Sequence, residues 1–107
     1  MTLLHIVGIK PHDTTTKDEV AQAVTMLEQL GDACGGEEHG ILGFEVLQNL
    51  DTRKGYALVE LAFFRDDDAL QAFRVHPAHV KFVNFLATIA DWVVLDCHPQ
   101  TKPFKPA

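Results

Sequence analysis

The stretch Val75-His76-Pro77-Ala78-His79-Val80-Lys81-Phe82 decides how the second half of this chain folds. Proline fixes its own φ, lacks a backbone N–H and biases the residue before it away from helical geometry. We therefore expect one helix to end at His76 and another to begin at Pro77. The first N–H groups of a helix have no partner within the helix, so the missing N–H of a proline there costs no hydrogen bond. The break predicts two short helices in place of one long helix.

His79 falls in the first turn of the second predicted helix. At 100° per residue it shares a stripe with apolar side chains, so we expect it to point inward. That stripe comprises Phe82, Val83, Leu86, Ile89 and Ala90. Unpaired N–H groups and the helix dipole disfavour a positive charge there, which favours a neutral imidazole. Such a histidine is either a general base or a core residue satisfied by one hydrogen bond, and both interpretations stay open.

Composition limits the size and class of the protein. The 107 residues, 47% of them hydrophobic, suffice for one domain with one core. A net charge of −6 offers no basic surface for phosphates, and no apolar run approaches a membrane span, so we expect neither nucleic acid nor membrane as a partner. The first ten residues lack the features of a secretion signal, and the two cysteines form no paired motif. These features predict a cytoplasmic protein.

Hydrophobic periodicity predicts an α+β protein. The predicted strands cover 3–10, 41–50, 56–64 and 91–97. Thr16 and Glu19 form a capping box for a first helix that Gly31 is expected to end, and the glycine-rich segment 31–40 is predicted to be a mobile loop. The order strand, helix, strand, strand, two short helices, strand is typical of a ferredoxin-like antiparallel four-stranded sheet with helices on one face.

The other face of the predicted sheet is also apolar. In the strand over 56–64, Val59, Leu61 and Phe63 lie opposite the residues that the helices should cover. If this face were exposed to solvent, its apolar area would exceed the roughly 300–600 Å² of the largest apolar patch on a typical monomer. We therefore expect a second copy of the chain to cover it in a homodimer. The domain is predicted to span 1–98, and a proline-rich tail follows over 99–107.

Several motifs together resemble the stress-responsive dimeric α+β barrel (Dabb) domain family. They are His5-Ile6-Val7, Gly55-Tyr56, Asp68-Ala69-Leu70-Gln71-Ala72-Phe73, His76-Pro77-Ala78-His79 and Asp91-Trp92-Val93-Val94-Leu95-Asp96. Members of that family include stress proteins, plant polyketide cyclases and a cyanohydrin-forming lyase, so membership alone does not fix function. The resemblance implies a dimeric α+β barrel.

Within that family the chain is similar to the olivetolic acid cyclase-like polyketide cyclase branch. In that branch a strand-one histidine and the second histidine of His-Pro-Ala-His perform acid/base chemistry, and these correspond to His5 and His79. The branch also has a histidine and a tyrosine at the positions of Leu58 and Phe73. Because both polar groups are missing here, the resemblance does not carry over the same cyclisation.

Glu60 is a carboxylate on the apolar strand face that also holds Leu58. A desolvated carboxylate beside imidazoles titrates near neutrality, so His5, His79 and Glu60 are the candidate catalytic residues. The alternative places Glu60 at the pocket mouth, paired or solvated. The side chains expected to bind a substrate are Leu58, Phe73, Phe82, Val83, Trp92 and His76, although the aromatic rings equally fit a plain core.

The sequence contains no phosphate-binding loop, nucleotide fingerprint or nucleophilic triad. His76 and His79 have metal-ligand spacing, but the proline separates their faces and no Cys or Asp completes a ligand set, so we expect no metal. The leading hypothesis is a cofactor-free cyclase, lyase or isomerase that moves protons next to the carbonyl of a small apolar compound. The alternatives are a non-catalytic stress or ligand-binding barrel and a cofactor-free monooxygenase.

Overall fold

The computed structural model describes residues 2–99 as four strands and three α-helices in the predicted order. The strands are β1 (Leu3–Pro11), β2 (Ile41–Gln48), β3 (Leu58–Phe64) and β4 (Ala90–Cys97). The helices are α1 (Lys17–Ala33), α2 (Asp67–Val75) and α3 (Pro77–Leu86), with a 3₁₀ turn at Gly36–His39. The predicted tail lies outside the described residues apart from Pro99.

The strands form one antiparallel sheet in the order β2-β3-β1-β4. Alternate residues of β1 are buried beneath the helices, and they are Leu3, His5, Val7 and Ile9. Helical side chains such as Leu27, Phe73 and Phe82 belong to the same core. This arrangement confirms the predicted ferredoxin-like fold.

Two predicted helix boundaries are confirmed in atomic detail. At the start of α1, Glu19 N donates to Thr16 Oγ1 at 3.1 Å and Thr16 N donates to Glu19 Oε1 at 2.9 Å, which completes the capping box. His76 has an extended backbone, with φ −63° and ψ 135°, and separates α2 from α3. Pro77 occupies the first turn of α3, where its missing N–H needs no partner.

The prediction that Gly31 ends the first helix is wrong. Helix α1 continues to Ala33, and Gly31 is buried within it against Phe44. A Cβ at Gly31 would lie 3.0 Å from Phe44 Cβ, so this glycine allows close packing of helix on sheet. The left-handed backbone occurs instead at Gly35, with φ 103°, and the predicted loop begins with an ordered 3₁₀ turn.

Strand β2 also departs from simple alternation. A register irregularity lies between Ile41 and Gly43, so Ile41 is buried while Leu42 is 50% exposed. Beyond the irregularity, Phe44 and Val46 pack against the core. One extra residue in a strand moves the following side chains to the other face, which a pattern of alternating residues does not reveal.

We expect Gly31→Val to destabilise the protein by about 1–3 kcal/mol, because the added atoms press on Phe44 where the backbones approach closely. Urea denaturation would measure the change. The matched control is Ala21→Val at an exposed position of the same helix, where only the lower helix propensity of valine, up to about 0.7 kcal/mol, should be felt. Equal stability of the two variants would contradict the packing role of Gly31.

Candidate active site

A cavity of about 320 Å³ lies between the helix-facing side of the sheet and helix α3. Its apolar lining includes Val7, Ile9, Phe82, Val83, Leu86 and Trp92. Its polar lining is His5, Glu60, Arg74 and His79. This volume and this mixture of a few polar groups with apolar walls are typical of sites for small molecules.

The polar groups gather at one end of the cavity. In the β1·β4 ladder His5 pairs with Asp96, Val7 with Val94 and Ile9 with Trp92, so polarity falls along both strands in the same direction. Each such step advances about 6.6 Å along a strand. The cavity therefore has a charged end near His5 and an apolar end near Trp92.

His79 reaches the polar end from the first turn of α3. Its Nδ1 lies 3.0 Å from the carbonyl oxygen of Arg74, and a carbonyl only accepts, so Nδ1 carries the proton. In the neutral ring Nε2 then holds a lone pair. Burial lowers the pKa of His79 and outweighs the opposing effects of the Arg74 carbonyl and the Glu60 charge, which favours that neutral ring. His79 thus has the tautomer and charge state of a general base.

His5 lies between two carboxylates. Its Nδ1 is 2.5 Å from Asp96 Oδ1, and its Nε2 is 3.1 Å from Glu60 Oε2. The side chains of His5 and Glu60 are only 6% and 4% exposed. Burial alone lowers the pKa of His5, but the contacts with Glu60 and Asp96 outweigh it, so the net effect is a raised pKa. Both nitrogens face acceptors, which favours the imidazolium form.

One oxygen of the Glu60 carboxylate lacks a well-formed hydrogen bond among residues 2–99. Although Oε2 lies 3.1 Å from the His5 ring, its orientation leaves it buried without a well-formed hydrogen bond among residues 2–99. A buried carboxylate oxygen that lacks a good partner is costly. Glu60 also lines the cavity, so this oxygen is open to a neutral hydrogen-bond donor such as a ligand hydroxyl.

Asp96 and Arg74 complete this polar end. Arg74 Nη2 donates to Asp96 Oδ2 at 2.7 Å, while the other oxygen of Asp96 contacts His5. The sequence interpretation did not include either residue among the site residues. Signals for both existed, because Asp96 alternates with Trp92 and Val94 on one strand face, and Arg74 follows the buried Leu70 by one helical turn.

The predicted site residues divide into two groups. His5, Glu60, His79, Phe82, Val83 and Trp92 all line the cavity. Leu58, Phe73 and His76 lie off its lining. Phe73 is buried in the core, with its ring centroid 4.4 Å from that of His79. His76 turns its Nδ1 to the backbone N–H of Ala78 at 3.1 Å, and Leu58 packs against the core near the start of β3.

Within residues 2–99, no group of three His, Cys, Asp or Glu side chains is placed to hold a metal ion. None of the helices in this part of the chain has the length and apolar character needed to cross a bilayer.

The fold and this cavity define a ferredoxin-like α+β domain with a partly polar cavity between sheet and helices. Residues 3–99 match the family model of the stress responsive A/B barrel domain, and the chain belongs to that family. The predicted family is therefore confirmed. No curated protein matches the chain.

Solved structures support the same fold. A dimeric ferredoxin-like protein of unknown function from Thermobifida fusca is 25% identical with a TM-score of 0.77, and the match covers 91% of this chain and 90% of that one. A Dabb-family protein from Mesorhizobium loti is 20% identical with a TM-score of 0.78, over 92% and 97% of the two chains. SnoaB, a cofactor-independent oxygenase from Streptomyces nogalater, is 13% identical with a TM-score of 0.73, over 94% and 95%.

The raised pKa of His5 predicts a pH-dependent stability. The folded protein binds this proton more tightly than the unfolded chain, so the stabilisation is complete below the ordinary pKa of 6.5 and is lost as pH rises through the raised value. We expect the difference in unfolding free energy between wild type and His5→Gln to shrink above about pH 6.5. Urea titrations across this range would measure it.

The matched control for that experiment is His12→Gln, which removes a more exposed histidine whose side chain is 38% exposed beside Asp91. Its difference from wild type is measured over the same pH range as a reference, and it should change less than that of His5→Gln. A His5→Gln difference that grows with rising pH would contradict a charged His5.

Proposed function

We propose that this chain is a cofactor-independent enzyme that moves protons next to the carbonyl group of a small, mostly apolar molecule. The observation that carries the proposal is the state of His79. Its Nδ1–H is committed to the Arg74 carbonyl, which leaves the lone pair of Nε2 on a ring that lines an apolar cavity. A neutral imidazole in this position is suited to accept a proton from carbon.

The reaction step follows from the polar end of the cavity. Nε2 of His79 takes a proton from the carbon beside the carbonyl, the C–H electron pair becomes the enolate, and negative charge develops on the carbonyl oxygen. The Nε2–H of His5, which lies 3.1 Å from Glu60 Oε2 without a well-formed bond to it, donates to the carbonyl oxygen and stabilises the developing charge. Returning the proton at another atom isomerises the molecule. Attack of the enolate carbon on a second carbonyl within the molecule forms a ring, and the resulting alkoxide takes the proton back from His79.

A second candidate function is non-catalytic binding of small apolar molecules by a stress-responsive barrel. One observation favours it: both ring nitrogens of His5 already face carboxylates, as in a purely structural network. The two functions differ in whether a bound ketone exchanges its α-hydrogens.

Hydrogen exchange into a model ketone would test the catalytic function. We expect the wild-type protein to accelerate deuterium uptake by 4-phenyl-2-butanone in D₂O, followed by proton NMR. His79→Ala should lower the accelerated rate by roughly 10²–10⁴-fold, the usual effect of removing a positioned base. Glu60→Gln reports on the third candidate residue, because a large loss in a folded variant would make Glu60 catalytic.

The control for the exchange assay is His39→Ala, which removes an exposed histidine of the 3₁₀ turn, outside the cavity lining. It should exchange the ketone like wild type, and circular dichroism should show all variants folded. If wild type binds the ketone without accelerating exchange, the binding function is favoured. If His79→Ala unfolds the protein or keeps the full rate, His79 is not the base.

We further propose that the chain forms a homodimer through the outer face of its sheet. This face holds partly exposed apolar side chains, namely Leu47, Phe63, Val93 and Leu95 at 42%, 38%, 46% and 57% exposure. Similar proteins from Thermobifida fusca and Jannaschia are described as dimeric. Exposed apolar surface on this scale is a common sign of an interface.

We expect light scattering to give twice the monomer mass for wild type and the monomer mass for Leu61→Lys. Leu61 lies on the outer face of β3, and a lysine there would be buried unpaired in the interface, which costs several kcal/mol. Leu50→Lys is the matched control, because Leu50 is 90% exposed and lies beyond β2, so the dimer should persist. A monomeric wild type at micromolar concentration would contradict the homodimer.

A further inference from the structure

Four charged side chains from four elements form a continuous row at the polar end of the cavity. Arg74 of α2 bonds Asp96 of β4 at 2.7 Å, and Asp96 contacts His5 of β1 at 2.5 Å. His5 in turn lies 3.1 Å from Glu60 of β3. The chemical order along this row is guanidinium, carboxylate, imidazole, carboxylate.

The net charge of the row depends on His5. Each of its ring nitrogens faces a carboxylate oxygen, and only the doubly protonated ring has a donor for both. With His5 as an imidazolium, the row alternates positive and negative and sums to zero. Arg74 supplies the second positive charge, and without it the row would carry one net negative charge.

The other titratable groups that face this row add no charge. His79 of α3 is neutral, since burial lowers its pKa despite its contact with the Arg74 carbonyl. The thiol of Cys34 approaches from α1, and burial raises its pKa above the usual range, which also keeps it neutral. The balance therefore rests on the four residues of the row.

We propose that Arg74 is a specificity-determining residue, and that the balanced row makes the cavity select ligands whose reacting end is uncharged. This inference rests on the proposed function only for the carbonyl character of the ligand. A ligand at this end of the cavity meets both signs of charge, so the attraction of a carboxylate to His5 and Arg74 is offset by its repulsion from Glu60 and Asp96, and the reverse holds for an ammonium. Either ion gives up its hydration without a free counter-charge, which is unfavourable in a partly buried site.

The same residues argue against a simple anion-binding role for Arg74. Its Nη2 is already committed to Asp96, whose side chain is only 24% exposed, so the guanidinium charge is largely matched inside the protein. A ligand carboxylate would compete with Asp96 for this cation and would place three carboxylates beside two positive charges. A neutral carbonyl can accept a hydrogen bond without disturbing either pair.

Three ligands of similar shape would test the selection by isothermal titration calorimetry. They are 4-phenyl-2-butanone, 4-phenylbutanoate and 4-phenylbutylamine, which are neutral, anionic and cationic at neutral pH. We expect wild type to bind the ketone at least about tenfold more tightly than either ion. Arg74→Gln leaves excess negative charge and should shift selectivity about tenfold toward the amine, whereas Glu60→Gln should shift it about tenfold toward the carboxylate.

The matched control is Arg53→Gln, which removes an exposed arginine paired with Asp51 outside the cavity and should leave selectivity unchanged. Nitrogen-15 NMR of labelled histidines tests the charge of His5 without any ligand, and its spectrum should show an imidazolium at neutral pH. A neutral His5, a wild-type preference for the carboxylate, or shifts of the two variants in the same direction would each overturn the inference.

These outcomes are separable from failure of the proposed function. If wild type prefers the ketone but does not accelerate its hydrogen exchange, the charge selection stands and the catalytic function fails. If exchange is accelerated while the carboxylate binds best, catalysis stands and the charge selection fails. Binding of none of the three ligands would overturn the selection, whatever the NMR spectrum shows.

Discussion

The backbone break at His76 and Pro77 is the constraint on which the site depends. Because helix α2 ends at Val75, its last carbonyls have no partner within the helix. In a continuous helix the Arg74 carbonyl would accept from the N–H of Ala78, but that N–H donates instead to His76 Nδ1. The freed carbonyl accepts the ring N–H of His79 and so fixes its tautomer. One proline thus sets both the course of α3 and the protonation pattern of its histidine.

The second constraint is a buried charge on the sheet. Ionisable groups are normally excluded from cores because desolvation opposes their attraction, and a buried pair adds little stability over an apolar substitute. Here His5 and Glu60 occupy positions on a buried face whose neighbouring side chains, such as Leu3, Val7 and Ala62, are apolar. Titratable groups clustered in a cleft at such a cost are characteristic of functional sites. The sheet therefore carries two buried charged side chains beside the cavity, at positions where apolar side chains would pack more favourably.

The fold was predictable because its main signals are local. The capping box at Thr16, the proline break and the alternation of β1 each depend on a few neighbouring residues. The site was only partly predictable, because it depends on strand register. Glu60 pairs with Val7, and its meeting with His5 is a diagonal contact that no single strand reveals. The bond between Arg74 and Asp96 likewise connects two elements that lie far apart in the sequence. The prediction for Gly31 was wrong because a glycine permits close packing as well as left-handed turns.

The two apolar substitutions relative to the polyketide-cyclase pattern make sense within this geometry. Leu58 and Phe73 lie off the cavity lining, so neither position supplies a polar group to the charged residues of the cavity. Phe73 packs its ring against His79, with centroids 4.4 Å apart, and against Phe64, with centroids 5.1 Å apart, which shields one side of the His79 imidazole from water. The carboxylate at Glu60, two residues along the same strand face, lines the cavity and contacts His5 directly. The carboxylates of this cavity therefore gather around His5, which leaves one neutral imidazole at His79 and one paired cation in the same cavity.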